Sequence, residues 1–482
     1  MAPDLRQGKD SPAKARLGGE AAPLGVPTAP ATLALRVRAH RVFPFVRLRE
    51  KAAGTFWLIP ALFFGGAILA AVLTQRIDTH LTTASVSSPL VWNADNAVGA
   101  LSMMATAMLS FIAVVFSIGM VSMQLASQQF SPRVLRTYVR SATTKLALGV
   151  FIAAFVYPLL SYGLIEHNPS GQTQPATISA SVSTTMTLTA IAVFVIYVSH
   201  TINLMRITMA IRSVAEETRR AFRHVLLPTS AYVKVEPPAQ DAPLGIVTFR
   251  KPPWSLAATR AAHGVVQGVD VVQLVHCAQR HDCVVRALVG VGDYVSDGQP
   301  IAEILAPAVT TGRGPVSLPI EAEILRAMDV GPERTLYQDP YYGLRELADV
   351  AAQALSPAVN APTTAVQVID RLEDILRQIA GLPDPTGLIT DEDGEVRLVM
   401  RPYTWDETLA LALTEIRRYG AGSPQVTRRL AGLFDSVAAV ATAGHLPAIE
   451  RQRRELVAAV EAAVPGHADR EFALAPDRRG LG

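Results

Sequence analysis

The residues best suited to chemistry by type and spacing are His276, Cys277, His281 and Cys283. Imidazole and thiolate are the usual ligands of zinc. Their spacing matches no standard pair of short ligand loops, and a change from helix to strand among them would point them in different directions. The expected role of Cys277 and Cys283 is therefore to fill small core positions, and no metal is assigned. They are the only two cysteines of the chain, which excludes a secreted disulfide framework and fits a reducing compartment. No nucleophile–base–orienter set, phosphate loop or paired-carboxylate site is present, so neither an enzymatic activity nor a cofactor is expected. A net charge of +3, without arginine clusters interleaved with aromatics, argues against nucleic acid as a partner.

A second set is polar without being ionisable. Ser102, Thr106, Ser110 and Ser117, with Ala113, recur every three or four residues inside an apolar run, so they share one helical face. Such a face suits close helix packing, with hydroxyls bonding across the interface, and it also suits a water-lined path. No carboxylate or lysine lies near the middle of that run or its counterparts, which weighs against a proton-coupled transporter. His200, near the end of another run, is the nearest titratable group.

These faces belong to four runs free of Lys, Arg, Asp and Glu: Phe56–Thr74, Leu101–Met123, Leu146–Ile165 and Thr184–Met205. As helices, runs of about 20 residues match the ~30 Å hydrocarbon thickness of a bilayer. A helix of a globular protein would carry charges on its outer face. Pro158, inside the third run, favours a bend. Cations flank the runs on alternate sides: Arg36 to Lys51, then Arg133 to Lys145, then Arg206 to Arg223, whereas the intervening segments hold only Arg76. Cations in short flanking segments resist translocation, so both termini are expected on the cytoplasmic side of the membrane.

Residues 1–40 read as a disordered tail and 41–205 as the four-helix transmembrane domain. Residues 206–227 form an amphipathic connecting helix whose seam is Ile207, Ile211, Val214, Thr218, Phe222 and Val225. Residues 243–320 alternate short β-rich runs with glycine turns, which suggests a small barrel or sandwich. Residues 321–464 read as helical, with starts at Asp339-Pro340, Asn360 before Pro362, Thr404 with Glu407, Ser423-Pro424 and near Pro447. Residues 465–482 read as a frayed tail. The fold class is thus an α-helical membrane protein followed by an α+β cytoplasmic domain.

Val291-Gly-Asp-Tyr-Val-Ser-Asp-Gly-Gln-Pro-Ile-Ala-Glu-Ile304 resembles the turn of biotinyl- and lipoyl-type domains, but no lysine follows Lys251, which excludes a lysine-linked cofactor here. A broader resemblance rests on Ser127-Gln-Gln-Phe-Ser-Pro-Arg133 with Leu135, on Arg334-Thr335, Gln338-Asp339 and Tyr342-Gly343, and on Ala354-Leu-Ser-Pro-Ala-Val-Asn360 with Pro362, Thr364 and Ala365. Over residues 45 to 460 the chain resembles a bacterial family of predicted membrane proteins, domain of unknown function 2254. The resemblance implies four spans and a cytoplasmic domain and supplies no activity. Gln353 and Ala361 stand where the family resembles an arginine and an aspartate, which weakens any ion pair, metal site or acid–base role for that loop.

Arg334, Gln338, Asp339, Ser356 and Asn360 remain as a polar set. Helix capping and turn formation account for these residue types, and a ligand-recognition loop is the alternative. The expected function is a homo-oligomeric, channel-like membrane protein regulated by its cytoplasmic domain. A membrane-anchored sensor or scaffold that binds a partner or small ligand is the other reading.

Overall fold

The structure, a computed structural model, describes residues 33–36, 57–80, 94–129, 141–166, 176–204, 206–226, 232–234, 245–249, 263–305 and 318–479. The basic residues Arg38 to Lys51 and Arg133 to Arg140 lie outside the described residues, as does most of the Ser127–Leu135 motif.

Four helices are long and apolar enough to cross a membrane: α1 (Leu58–His80), α2 (Ala94–Gln129), α3 (Ala142–Glu166) and α4 (Thr177–Leu204). They pack through small residues and aromatic edges. A Cβ at Gly149 of α3 would lie 2.7 Å from the Phe63 ring of α1, so glycine sets how closely these helices approach. Phe111 of α2 meets Phe151 of α3 and Phe194 of α4 edge to face, with centroids 5.5 and 5.0 Å apart. Pro158 lies within α3 without ending it. The fourth helix starts at Thr177 rather than at Thr184, and a side chain from α1 explains why. Buried Asp78 accepts hydrogen bonds from the Ile178 and Ser179 amides, at 2.9 and 3.0 Å, and from Ser179 Oγ at 2.6 Å. A carboxylate satisfying the unpaired first-turn amides also complements the helix dipole.

Helix α5 (Ile207–Leu226) follows α4 almost directly. Its seam residues Ile211, Val214, Thr218 and Phe222 are buried, while Val225 at its end is exposed. The seam packs into an apolar core shared with α8 (Pro340–Ala354), α9 (Pro362–Ala380), α10 (Trp405–Gly420), α11 (Pro424–Ala438), α12 (Leu446–Ala463) and α13 (His467–Leu474). Directions follow from named contacts. Phe222 meets Tyr341 at 5.4 Å, and a Cβ at Gly343 would strike Thr218, so α8 runs antiparallel to α5. Arg345 pairs with Glu415, and Leu355 lies beside Gly420, so α10 runs alongside α8 in the same sense.

Five strands follow the connecting region in β-rich order: β3 (Gly245–Thr248), β4 (Gly264–Val269), β5 (Val284–Ala287), β6 (Tyr294–Val295) and β7 (Pro300–Leu305). Helix α6 (Val271–Arg280), capped by Asp270, lies between β4 and β5. Helix α7 (Leu318–Ala327) and β8 (Met328–Gly331) come next, and β9 (Leu388–Thr390) with β10 (Val396–Val399) form a hairpin between α9 and α10. One sheet has the order β2-β1-β9-β10-β5-β7-β3, where β1 is Leu33–Arg36 and β2 is Tyr232–Lys234, and the other has the order β6-β4-β8. Side chains of both sheets, α6 and α7 share a second apolar core.

Several expectations need correction. Among the described residues no sheet closes, since each ends in unpaired edge strands, so the expected barrel is not formed. Leu33–Arg36, expected in a disordered tail, is a strand because the edge of β9 offers its backbone a parallel partner. The region read as wholly helical contains β8, β9 and β10. The tail read as frayed contains α13, which is held by Thr427 Oγ1 donating to the Ala473 carbonyl at 2.7 Å, with Ala473 itself buried.

Candidate functional site

Asp339 sits at the N-cap of α8 because its carboxylate accepts from the Tyr342 amide at 2.9 Å and Pro340 needs no amide partner in the first turn. The same carboxylate accepts two bonds from Arg334, at 3.0 Å from Nε and 2.8 Å from Nη2, and only 2% of Asp339 is exposed. Burial pushes the Asp339 carboxyl above its usual pKa, against the pull of Arg334 and the Tyr342 amide. Burial opposes the charge of Arg334 as well, but the Asp339 carboxylate outweighs it and holds the guanidinium above its ordinary value, helped by Tyr403.

The glycine turn after β5 closes over this pair. Gly292 has φ +95°, and a Cβ there would collide with Arg334 and come within 2.6 Å of Asp339 Oδ2. Gln338 Oε1 accepts from the Val269 amide at 2.9 Å. Arg334, Gln338 and Asp339 therefore join the sheets to the helical bundle at the N-terminal end of α8.

Ser356 and Asn360 lie at the opposite end of α8, about 22 Å away by its rise per residue. Ser356 Oγ donates to the Gln353 carbonyl at 2.7 Å, and Ser356 O accepts from the Asn360 amide at 2.9 Å. Asn360 was expected to start α9. It instead takes φ +45°, which asparagine tolerates, and Ala361 occupies the cap without a side-chain bond. The five-residue polar set is thus divided between two ends of one helix and does not converge on one ligand.

A cluster that sequence reasoning missed adjoins Arg334 through Tyr403. Tyr403 stacks on Tyr341 at 3.9 Å, and Trp405 stacks on His445 at 4.8 Å. His445 Nδ1 donates to the Ala380 carbonyl at 2.8 Å, and Nε2 lies 3.3 Å from Asp384 Oδ1. Trp405 Nε1 is buried without a hydrogen-bond partner among the described residues. The space between these rings is about 30 Å³, room for a water or two and far below the several hundred Å³ of a metabolite pocket. These residues come from α8, the loop after α9, the start of α10 with the loop before it, and the N-cap of α12, and the only local signal was the aromatic density of Tyr341-Tyr342 and Tyr403-Thr-Trp405.

Of the candidate zinc ligands, the fold brings together Cys277 and His281 with Glu323 of α7, a residue the sequence did not single out. His276 is exposed. Glu323 already receives Arg280 at 2.7 Å. Burial and the nearby Glu323 push the Cys277 thiol up to about 12, and burial pushes Cys283 up to about 11. Unless a metal ion lies beside them, thiols in that state stay protonated at neutral pH and pack as small core side chains.

On α2, Thr106, Ser110 and Ser117 are exposed and Ser102 is half-buried. Thr106 Oγ1 donates to the Ser102 carbonyl at 3.0 Å and Ser110 Oγ to the Thr106 carbonyl at 3.4 Å. Ser102, Thr106 and Ser110 line an open groove with Gly99, Met103 and Tyr162, and among the described residues no helix fills it.

Four apolar helices joined by a packed connector to a mixed extramembrane half define a polytopic membrane protein. Within that class, the chain belongs to the family described as "Predicted membrane protein (DUF2254)", whose model matches residues 53–436. It is 28% identical over 428 residues to "Uncharacterized protein Rv1290c" of Mycobacterium tuberculosis and to "Uncharacterized protein Mb1321c" of Mycobacterium bovis. Each alignment covers 88% of this chain and 78% of the relative. No solved structure matches the chain.

Proposed function

We propose that the protein is a homo-oligomeric, channel-like component of the bacterial plasma membrane, with both termini cytoplasmic, in which the α2 stripes of neighbouring copies face one another. The observation carrying this reading is that Thr106 and Ser110 are exposed along an open groove, with Ser117 exposed two turns further along the same helix face. Small residues let a second helix approach closely, and hydroxyls bonded to their own backbone can face either a helix or water. Helix α5, gripped by α8 and α9, is the mechanical route by which the extramembrane half would regulate the spans. Flux of ions and small solutes through purified protein in liposomes tests the permeation reading. The variant Ser110→Leu with Ser117→Leu should lose flux while keeping its fold, and unchanged flux overturns the pore.

The other reading is a membrane-anchored sensor or scaffold. It is supported by the two extramembrane cores, whose described residues all lie after the fourth span, from α5 onward. Partner binding retained by residues 207–482 alone would favour it over permeation.

A further inference from the structure

We infer that the extramembrane half touches the bilayer a second time, through the end of its bundle where the α8–α9 turn (355–361) and the α10–α11 turn (421–423) lie side by side. The fourth membrane-crossing segment ends at Asn203. Thr208, five residues further on, donates from Oγ1 to Gln367 Oε1 at 2.9 Å. Gln367 is itself five residues past Pro362, the first residue of α9.

At 1.5 Å per residue the step along α9 is about 7.5 Å, and Thr208 is the second residue of α5, so the start of α9 lies level with the junction between α4 and α5. The antiparallel register of α5 on α8 gives the same level independently. Gly343 opposes Thr218, and eleven residues further along α8, at Ala354, the matching level on α5 is its first residue, Ile207. The neighbouring Gly420 lies beside Leu355, which brings the second turn to the same height.

What this end presents suits the interfacial region of a membrane. Pro357, Ala358 and Val359 are consecutive and exposed, Val359 to 44%. Arg418 is exposed, and Tyr419 beside it is 62% exposed. Arg206 and Arg212 stand exposed at the start of α5, with Met209 between them. Apolar tips, tyrosine and arginine together favour the headgroup and upper acyl layer, where arginine meets anionic lipid phosphates and the aromatic ring spans the polarity gradient. The contact would fix the bundle at two points instead of hanging it from α5 alone.

The test uses the full chain in phosphatidylcholine–phosphatidylglycerol liposomes. Val359→Cys, Tyr419→Cys and Val440→Cys are each labelled with an environment-sensitive nitrobenzoxadiazole probe. Cys277 and Cys283 are buried with raised pKa values, so the engineered thiol is the reactive one. Val440 is exposed at the far end of the bundle, where its carbonyl faces Gly381 just past α9. Probes at 359 and 419 should lose intensity with nitroxide lipids labelled near the headgroup and resist aqueous iodide, whereas the probe at 440 should do the reverse. All three positions are exposed, so each variant should elute and melt as the parent does. Iodide quenching at 359 equal to that at 440, without nitroxide quenching, would overturn the inference. Shielding at 359 from both quenchers would also overturn it and point to protein covering the tip.

Discussion

Replacing Gly343 with alanine tests the joint between α5 and α8. The added Cβ would collide with Thr218 Oγ1 and lie 2.8 Å from both Thr218 Cβ and Leu336 Cδ2. Thr218 is fixed in place: it is fully buried, its branched side chain is stiff, and its hydroxyl donates to the Val214 carbonyl at 2.7 Å. The two helices must therefore separate, which at the upper range for overpacking costs about 3 kcal/mol. The gain in helix propensity from glycine to alanine returns about 1 kcal/mol, leaving a net loss of about 2 kcal/mol. For a part of this size that corresponds to a fall in melting temperature of roughly 4–8 °C. Thermal unfolding of the detergent-solubilised protein measures it. Moving the glycine across the joint, with Gly343→Ala and Thr218→Gly together, should recover about 1–3 kcal/mol relative to additivity. A Gly343→Ala protein as stable as the parent, or strictly additive single changes, would refute the packing argument.

Further changes probe other joints. Asp78→Ala leaves two amides at the start of α4 without an acceptor and should destabilise the membrane helices by about 1.5–3 kcal/mol, read by unfolding in mixed micelles. Asp391 closes the β9–β10 hairpin by accepting from the Asp393 and Glu395 amides and from Arg397 Nε. Burial works against its charge, but the bonds from Arg397 and the Glu395 amide prevail and lower its pKa below 3.8. Its stabilisation is therefore complete above pH 3.8 and lost as the pH falls through the lowered folded value. Asp391→Asn should cost about 1.5–3 kcal/mol at pH 7, and its deficit should shrink in acid; a deficit independent of pH would contradict the assignment. Cys277 and Cys283 should resist alkylation at pH 7.5 in the folded protein and react on denaturation, followed by mass; rapid labelling of the native state would show that the thiols are not held in the core.

Much of this architecture is legible locally, and the reasons differ by element. Charge-free runs reveal the spans because a bilayer penalises ionised side chains wherever they face lipid. The α5 seam and the Asp339-Pro340 and Thr404–Glu407 caps are legible because periodicity and capping act within a few residues; the capping box forms as read. The Asn360 reading missed because the residue before Pro362 disfavours helical backbone angles, so Ala361 occupies the cap and the helix starts one position later. The β9–β10 hairpin did carry a signal, Asp393-Gly394 between short apolar runs, but its strands are too brief to stand out among helices. Nothing local could place Asp78 on a helix start a hundred residues away, bring Glu323 to Cys277, or stack Trp405 on His445. Those pairings exist only once the cores have formed.

The most direct measurement is disulfide cross-linking of a Ser110→Cys protein in native membranes, compared with a Leu62→Cys control on the exposed face of α1. If α2 stripes face one another between copies, oxidation should yield a covalent dimer from position 110 and none from position 62. Position 110 remaining monomeric while accepting lipid-soluble maleimides would place the stripe against lipid and contradict the oligomeric reading.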